Sequence, residues 1–280
     1  MADAAALEKD PLPNAIALMD LEDALIAKKN SDDDTVPLPL GAIRLAVNVN
    51  GCEDDETLKQ LKSLDPAMII LTINPTVSTL HASRRVFEII KSEDIQTSVI
   101  HRYITSSDDT NALALEIGTR VGSLLTDGCG DGVVVQEEAD GNSHFALDVL
   151  RRSSFSLLQG CRMRSTKTEF VPCPSCGRTL FDLQETTAKI TTSTGHLPEV
   201  TVAVMGRCIV NGPGEMADAD FGFIGTVPGQ IDLYYGKEVV RKNVPELEAV
   251  DELVDLIKEY GMWKEKETEE VEGEKEAVLA

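Results

Sequence analysis

Over the first 150 residues, short apolar runs alternate with segments whose apolar positions recur every three or four residues. IRLAVNV (43–49), PAMIILTI (66–73), TSVIHRY (97–103) and GDGVVVQ (130–136) are compact and rich in β-branched residues, which predicts buried strands. DETLKQLKSL (55–64) places Leu58, Leu61 and Leu64 at helical spacing, and VSTLHASRRVFEIIKS (77–92) and TNALALEIGTRVGSLLTD (110–127) are amphipathic helices. Near-continuous apolar strands separated by helices imply a parallel sheet covered by those helices. The periodicity fits about half of an eight-fold barrel and an open doubly wound sheet equally well.

A helix, HFALDVLRRSSFSLLQ (144–159), leads to a second region that begins near Cys161. There TEFVPC is a short strand, and CGRTLFDLQETTAKITTST is expected to continue as a helix from about Pro174. LPEVTVAVMG (197–206) is a buried strand, and NGPGE (211–215) is a turn rich in glycine and proline. FGFIGT and QIDLYY are strands joined by a VPGQ turn, KEVVRKNV is a third, and ELEAVDELVDLIKEYG (246–261) is a closing helix. The second region is therefore α+β.

Composition narrows the classes. With 42% hydrophobic residues in 280, the chain has enough material for one large or two ordinary cores. The formal charge of -22 argues against a nucleic-acid partner, because phosphate backbones select basic surfaces. Part of that excess sits in KEKETEEVEGEKEAVLA, which lacks apolar periodicity and is expected to be a solvated, frayed tail. No apolar run approaches membrane-spanning length, so no membrane is expected. MADAAALEKDPLPNA has neither the pattern of a secretory signal nor that of a transit peptide. Six cysteines (52, 129, 161, 173, 176, 208) in a chain this long do not make a dense disulfide framework. In a reducing compartment, clustered cysteines tend to bind metal or act in catalysis.

The candidate chemistry centres on FVPCPSCGRTLFDLQ (170–184). A Cys-Pro-x-Cys pair at a strand-to-helix junction suits a thiol–disulfide oxidoreductase, since a helix N-terminus lowers a thiol pKa. It equally suits half of a metal site, or an inert structural pair. Downstream, Cys208 follows a buried strand and Glu215 comes seven positions later, past two glycines and a proline. Structural zinc sites favour four Cys or His ligands. His81, His101, His144 and His196 are scattered and read as surface or core residues. Three thiolates with one carboxylate suit an iron–sulfur cubane in which one iron carries a labile oxygen ligand.

CPSCGRTLFDLQE together with CIVNGPGEMADADFG closely resembles the C-terminal region of the 4-hydroxy-3-methylbut-2-enyl diphosphate synthase family of the methylerythritol phosphate route to isoprenoids. The likeness extends through SSFSLLQGCRMRSTKTEFVPC and GSLLTDGCGDGVVV to PLPNAIALMDLEDAL, and the spacing C-x2-C, about thirty residues, then C-x6-E is specific to it.

The resemblance implies that Cys173, Cys176, Cys208 and Glu215 ligate a 4Fe-4S cluster, with Glu215 capping one iron and leaving when substrate arrives. Asn211 matches a family asparagine that faces the substrate. Arg178 matches a family arginine for which a structural salt bridge is at least as good a role, and Pro174 and Gly212 shape the backbone. One departure is local: the family usually runs Met-Gly-Cys, whereas this chain has Met205-Gly206-Arg207-Cys208.

The resemblance further implies an α/β fold in three parts. Residues 1–158 are the C-terminal part of a TIM-barrel-like insert or spacer domain built of parallel βα units. Residues 159–263 form the α+β iron–sulfur domain, and 264–280 an acidic disordered tail. The implied activity is reductive ring opening of 2-C-methyl-D-erythritol 2,4-cyclodiphosphate to 4-hydroxy-3-methylbut-2-enyl diphosphate, with ferredoxin as electron donor. The family's substrate-binding barrel is expected to precede residue 1, so the chain resembles a C-terminal fragment, inactive alone and needing that barrel in cis or in trans. The plant-like insert implies a plastid; a bacterial source would imply the cytoplasm. Two other readings are a thiol–disulfide oxidoreductase using Cys173 and Cys176, and a non-catalytic interaction module.

Overall fold

The protein is described by a computed structural model over residues 2–10, 12–31, 35–138, 145–173, 179–206 and 216–266. The chain divides into two compact units, Met1–Arg164 and Ser165–Ala280.

The first unit is built on a six-stranded, wholly parallel sheet. Its strands are β1 (Ala2–Asp3), β2 (Ala15–Asp20), β3 (Ala42–Val49), β4 (Met68–Leu71), β5 (Val99–Thr105) and β6 (Gly132–Glu137). They lie side by side in chain order, with registers such as Val47 opposite Ile69 and His101 opposite Val133. The helices between them are α1 (Ala4–Lys9), α2 (Leu21–Lys29), α3 (Asp55–Lys59), α4 (Leu61–Leu64), α5 (Thr79–Ser92), α6 (Thr110–Ile117) and α7 (Ser123–Thr126), and α8 (Leu147–Gly160) follows β6.

Strand order decides between the two architectures that periodicity left open. A doubly wound sheet reverses its order at a switch point and carries helices on both faces. Here there is no reversal; crossovers between successive parallel neighbours follow one hand as a rule, which puts their helices on one side. The cores agree. Leu45, Val47 and Val49 of β3, Ile69 and Leu71 of β4 and Val99 of β5 pack with Leu21, Leu58, Leu61, Val86 and Ile90. Tyr103 and Val135 use the same alternate face against Leu113, Ile117, Val121 and Leu150. On the opposite face Ile104 and Val134 remain exposed. The unit is thus a parallel half-barrel sheet.

Two details differ from the hydrophobic pattern. AIALMD, which the pattern does not mark as a strand, is β2; it pairs on both edges, so β1 and β3 supply its hydrogen bonds. The helix expected over 110–127 carries a π-helical turn at Gly118–Gly122 between α6 and α7, beside which Thr119, Ser123 and Thr126 bond back to carbonyls three or four residues earlier.

The second unit holds a mixed five-stranded sheet in the order β11-β10-β9-β8-β7. Its strands are β7 (Glu169–Pro172), β8 (Thr201–Met205), β9 (Phe221–Val227), β10 (Gln230–Tyr235) and β11 (Glu238–Pro245). The β7–β8 and β8–β9 pairs are parallel, and the other two are antiparallel. Pro228-Gly229 turns β9 into β10, with Gly229 at φ 76°, a conformation that favours glycine. Helices α9 (Leu183–Thr194) and α10 (Ala249–Glu259) cover one face, burying Ile190, Leu253 and Ile257 against Val202, Phe221, Phe223 and Leu233. The other face carries a smaller cluster of Ala203, Met205, Met216, Ala219 and Ile224.

The helix expected from about Pro174 begins instead at Leu183. Asp182 is its N-cap, its carboxylate accepting from the Glu185 N–H at 2.9 Å, so Thr179–Phe181 run outside the helix. The signal was present as Asp182-x-x-Glu185, a capping pattern that outweighs the helix propensity of the residues before it.

Candidate metal centre

Of the four residues expected to hold a cluster, Cys173 lies within the described residues; Cys176, Cys208 and Glu215 lie outside them, as do Asn211, Arg178, Pro174, Arg207 and Gly212. His144 and residues 267–280 of the acidic tail are outside them too. The site is therefore read from what brackets those positions.

Cys173 follows the last residue of β7. Its N–H donates to the Val204 carbonyl at 2.9 Å, which carries the parallel β7–β8 ladder one residue beyond Pro172. The side chain is half-buried and packs against the cluster of Met205, Met216 and Ile224. Met205 is the last residue of β8, three positions before Cys208, and Met216 directly follows Glu215. Met216 is fixed from below: it is buried, and its thioether fills the space that a side chain on Gly222 would occupy, 2.7 Å from the position of such a Cβ.

The remaining boundary residues meet as well. Thr179 follows the Cys176 segment and Gly206 precedes the Cys208 segment. A Cβ placed on Gly206 would lie 2.7 Å from Thr179 Cγ2 and 2.8 Å from its Oγ1. A Cβ on Gly225 of β9 would meet the Gly206 carbonyl and lie 3.1 Å from the Phe181 ring. Cys173, Thr179, Gly206 and Met216 therefore gather at the end of β7, β8 and β9. Cys173, Thr179 and Phe181, with Gln184, Thr187 and Thr191 of α9, also line a cleft of about 930 Å³.

This arrangement bears on each reading of the thiols. A glutaredoxin-type activation needs the first cysteine at a helix N-terminus. Cys173 is ten positions ahead of Leu183, where α9 starts, and the intervening described residues Thr179–Asp182 are not helical. The N-terminus of α9 is therefore not the one that a thiol–disulfide mechanism at Cys173 would use. Among the described residues no three His, Cys, Asp or Glu side chains gather as a metal-binding group. His101, buried in the first unit, donates Nε2–H to the Cys129 carbonyl, and His196 stacks edge-on against Trp263. Both behave as the structural histidines expected. Cys52, Cys129 and Cys161 belong to the first unit; burial pushes the Cys129 thiol up from its ordinary value.

Thr179, Gly206, Gly222 and Met216 were not singled out by sequence reasoning. No local pattern marks them, because each matters through a contact made across the sheet.

Comparison with known proteins defines the class first. Residues 169–259, within the second unit, match the family model of the GcpE protein C-terminal domain. Nearly the whole chain is similar to 4-hydroxy-3-methylbut-2-en-1-yl diphosphate synthases. It is 49% identical over 257 residues to the chloroplastic, ferredoxin-named enzyme of Arabidopsis thaliana, covering 90% of this chain and 33% of that one. It is 48% identical to the corresponding Oryza sativa subsp. japonica protein over 93% of this chain and 34% of that protein. A flavodoxin-named synthase of Protochlamydia amoebophila is 46% identical over 76% of this chain and 32% of its own length. The chain thus spans about a third of the length of the curated relatives it matches. These matches bear out the resemblance read from the cysteine and glycine-rich motifs.

Proposed function

We propose that the second unit is the iron–sulfur domain of a reductive synthase that converts 2-C-methyl-D-erythritol 2,4-cyclodiphosphate to 4-hydroxy-3-methylbut-2-enyl diphosphate. The half-barrel unit is then the spacer, and the site is completed by a substrate-binding barrel in cis or in trans. The observation that carries this reading is the meeting of Cys173, Thr179, Gly206 and Met216, the four residues that bound the segments bearing the other donors.

The donor set fits a 4Fe-4S cluster. Cys173, Cys176 and Cys208 supply thiolates, the ligand type such clusters use, and Glu215 supplies an exchangeable oxygen. When bound, the cluster supplies single-electron transfer at low potential and Lewis-acid assistance to C–O cleavage. Cys173 contributes one fixed thiolate, held by the β7–β8 ladder. Glu215 would hold the exchangeable position of such a cluster, and Asn211 would face the substrate. Ferredoxin would be the electron donor of a plastid-type protein; the plant relatives carry ferredoxin and chloroplastic in their names, and the bacterial one carries flavodoxin. None of the helices of the described residues is long and apolar enough to cross a membrane.

Anaerobic reconstitution with iron and sulfide tests the proposal. The 280-residue chain is expected to take up a cluster with broad visible absorption, and to turn over only when a matching barrel fragment is added. A colourless protein whose redox activity depends on Cys173 and Cys176 alone would restore the thiol–disulfide reading.

A further inference from the structure

Resting on the cluster-domain reading, a further inference concerns two residues that hold no ligand. Gly206 is buried at the end of β8, and its φ is not in the left-handed region, so an L-side chain would meet no backbone strain there. What excludes one is Thr179. A methyl on Gly206 would fall 2.7 Å from Cγ2, 2.8 Å from Oγ1 and 3.1 Å from Cβ of Thr179. Because threonine branches at Cβ, no rotamer clears all three contacts. Behind Gly206 there is no room to retreat: its carbonyl stands over Gly225, whose own missing side chain leaves that space, with the Phe181 ring 3.1 Å from where a Cβ would be. Phe181 is in turn wedged edge-on against Phe223, ring centroids 5.7 Å apart.

We propose that Thr179 and Gly206 are a size-matched pair of positioning residues. Their contact sets how closely the chain at Thr179 approaches the chain at Gly206, and the affinity for the proposed cluster depends on that approach. Gly225 keeps the same approach open from the sheet side. Groups next to metal ligands tune affinity without touching the metal, at about ten- to a hundred-fold per lost partner.

The test is a double-mutant cycle on the full chain, read by iron and sulfide content and by the visible spectrum after anaerobic reconstitution. Far-UV circular dichroism and thermal unfolding of each apoprotein report the fold. Gly206→Ala is expected to retain its fold and to hold the cluster about ten-fold less tightly against a chelator. Thr179→Ala in the same chain is expected to recover much of that loss, because it deletes the two closest atoms. Wild-type loading that survives Gly206→Ala unchanged overturns the inference. So does a double variant as poor as the two single losses combined, or a loss that tracks apoprotein unfolding. A wild-type chain that takes up no cluster at all defeats the proposed function instead, which separates the two failures.

Discussion

The Cys173 N–H and the Val204 carbonyl are joined at 2.9 Å, one step past the end of the β7–β8 ladder. That single bond places the first thiol level with the end of the strand from which the chain runs on to Cys208. A ligand residue anchored by a sheet costs less ordering on metal binding than one on a free loop, since its backbone is already fixed. The sheet beneath must therefore be stable for the site to form.

Phe223 is central to that sheet, fully buried between α9, α10 and the Phe181 ring. Phe223→Ala is expected to destabilise the second unit by about 3–5 kcal/mol, the usual cost of deleting a buried aromatic side chain. Trp263, the chain's single tryptophan, packs on the same core and reports its unfolding by fluorescence. A denaturant midpoint shifted no more than that of Phe223→Leu would show that the ring is not a main element of this core.

Asp182 caps α9 through the Glu185 N–H. Asp182→Ala is expected to cost about 1 kcal/mol. The Trp263 transition should move to lower denaturant with an unchanged slope, since the surface exposed on unfolding stays the same. A helix beginning upstream of Asp182 would instead make the substitution neutral or stabilising, alanine being the better interior residue.

His101 gives the first unit a pH dependence. Burial pushes its imidazole below the ordinary value, while the hydrogen bond to the Cys129 carbonyl and the charge of Asp131 pull the other way. The unfolded chain takes up this proton near the ordinary histidine value of about 6.5, and the folded chain does so only at lower pH. Stability is therefore complete above that value and falls as pH drops through the interval down to the folded value. Thermal unfolding followed by circular dichroism from pH 8 to pH 5 should show that loss, and His101→Gln, which keeps a donor for Cys129, should flatten it. Equal slopes in the two proteins would assign the acid sensitivity to carboxylates.

Glu215→Cys tests the exchangeable ligand. If the proposed cluster is bound, a fourth thiolate is expected to keep its visible spectrum while abolishing turnover in the presence of a barrel fragment, because no exchangeable oxygen ligand would remain. Full activity in this variant would end the labile-ligand proposal.

Period-two and period-3.6 patterns marked β3 to β6, α5, α6, α8 and the strands and closing helix of the second unit. They did so because each such pattern records which side of one element is buried. AIALMD escaped, since β2 gains its place from hydrogen bonds to both neighbours. The start of α9 was mislocated because the Asp182 cap was passed over. For the proposed site, the candidate donors and their spacing can be read from the letters: three thiols, a carboxylate and a glycine-rich turn. The Thr179–Gly206 contact was not, because neither residue carries chemistry and the two lie 27 positions apart.

By itself, then, the amino-acid order determined which residues can donate electrons to a metal and which faces of which segments must leave water. Tertiary structure alone decided that the first sheet runs in unbroken order with its helices on one side, and that Cys173, Thr179, Gly206 and Met216 share one end of the second. The reason is that donor chemistry and local periodicity belong to single segments. Strand order and close approach follow from how several segments exclude water together.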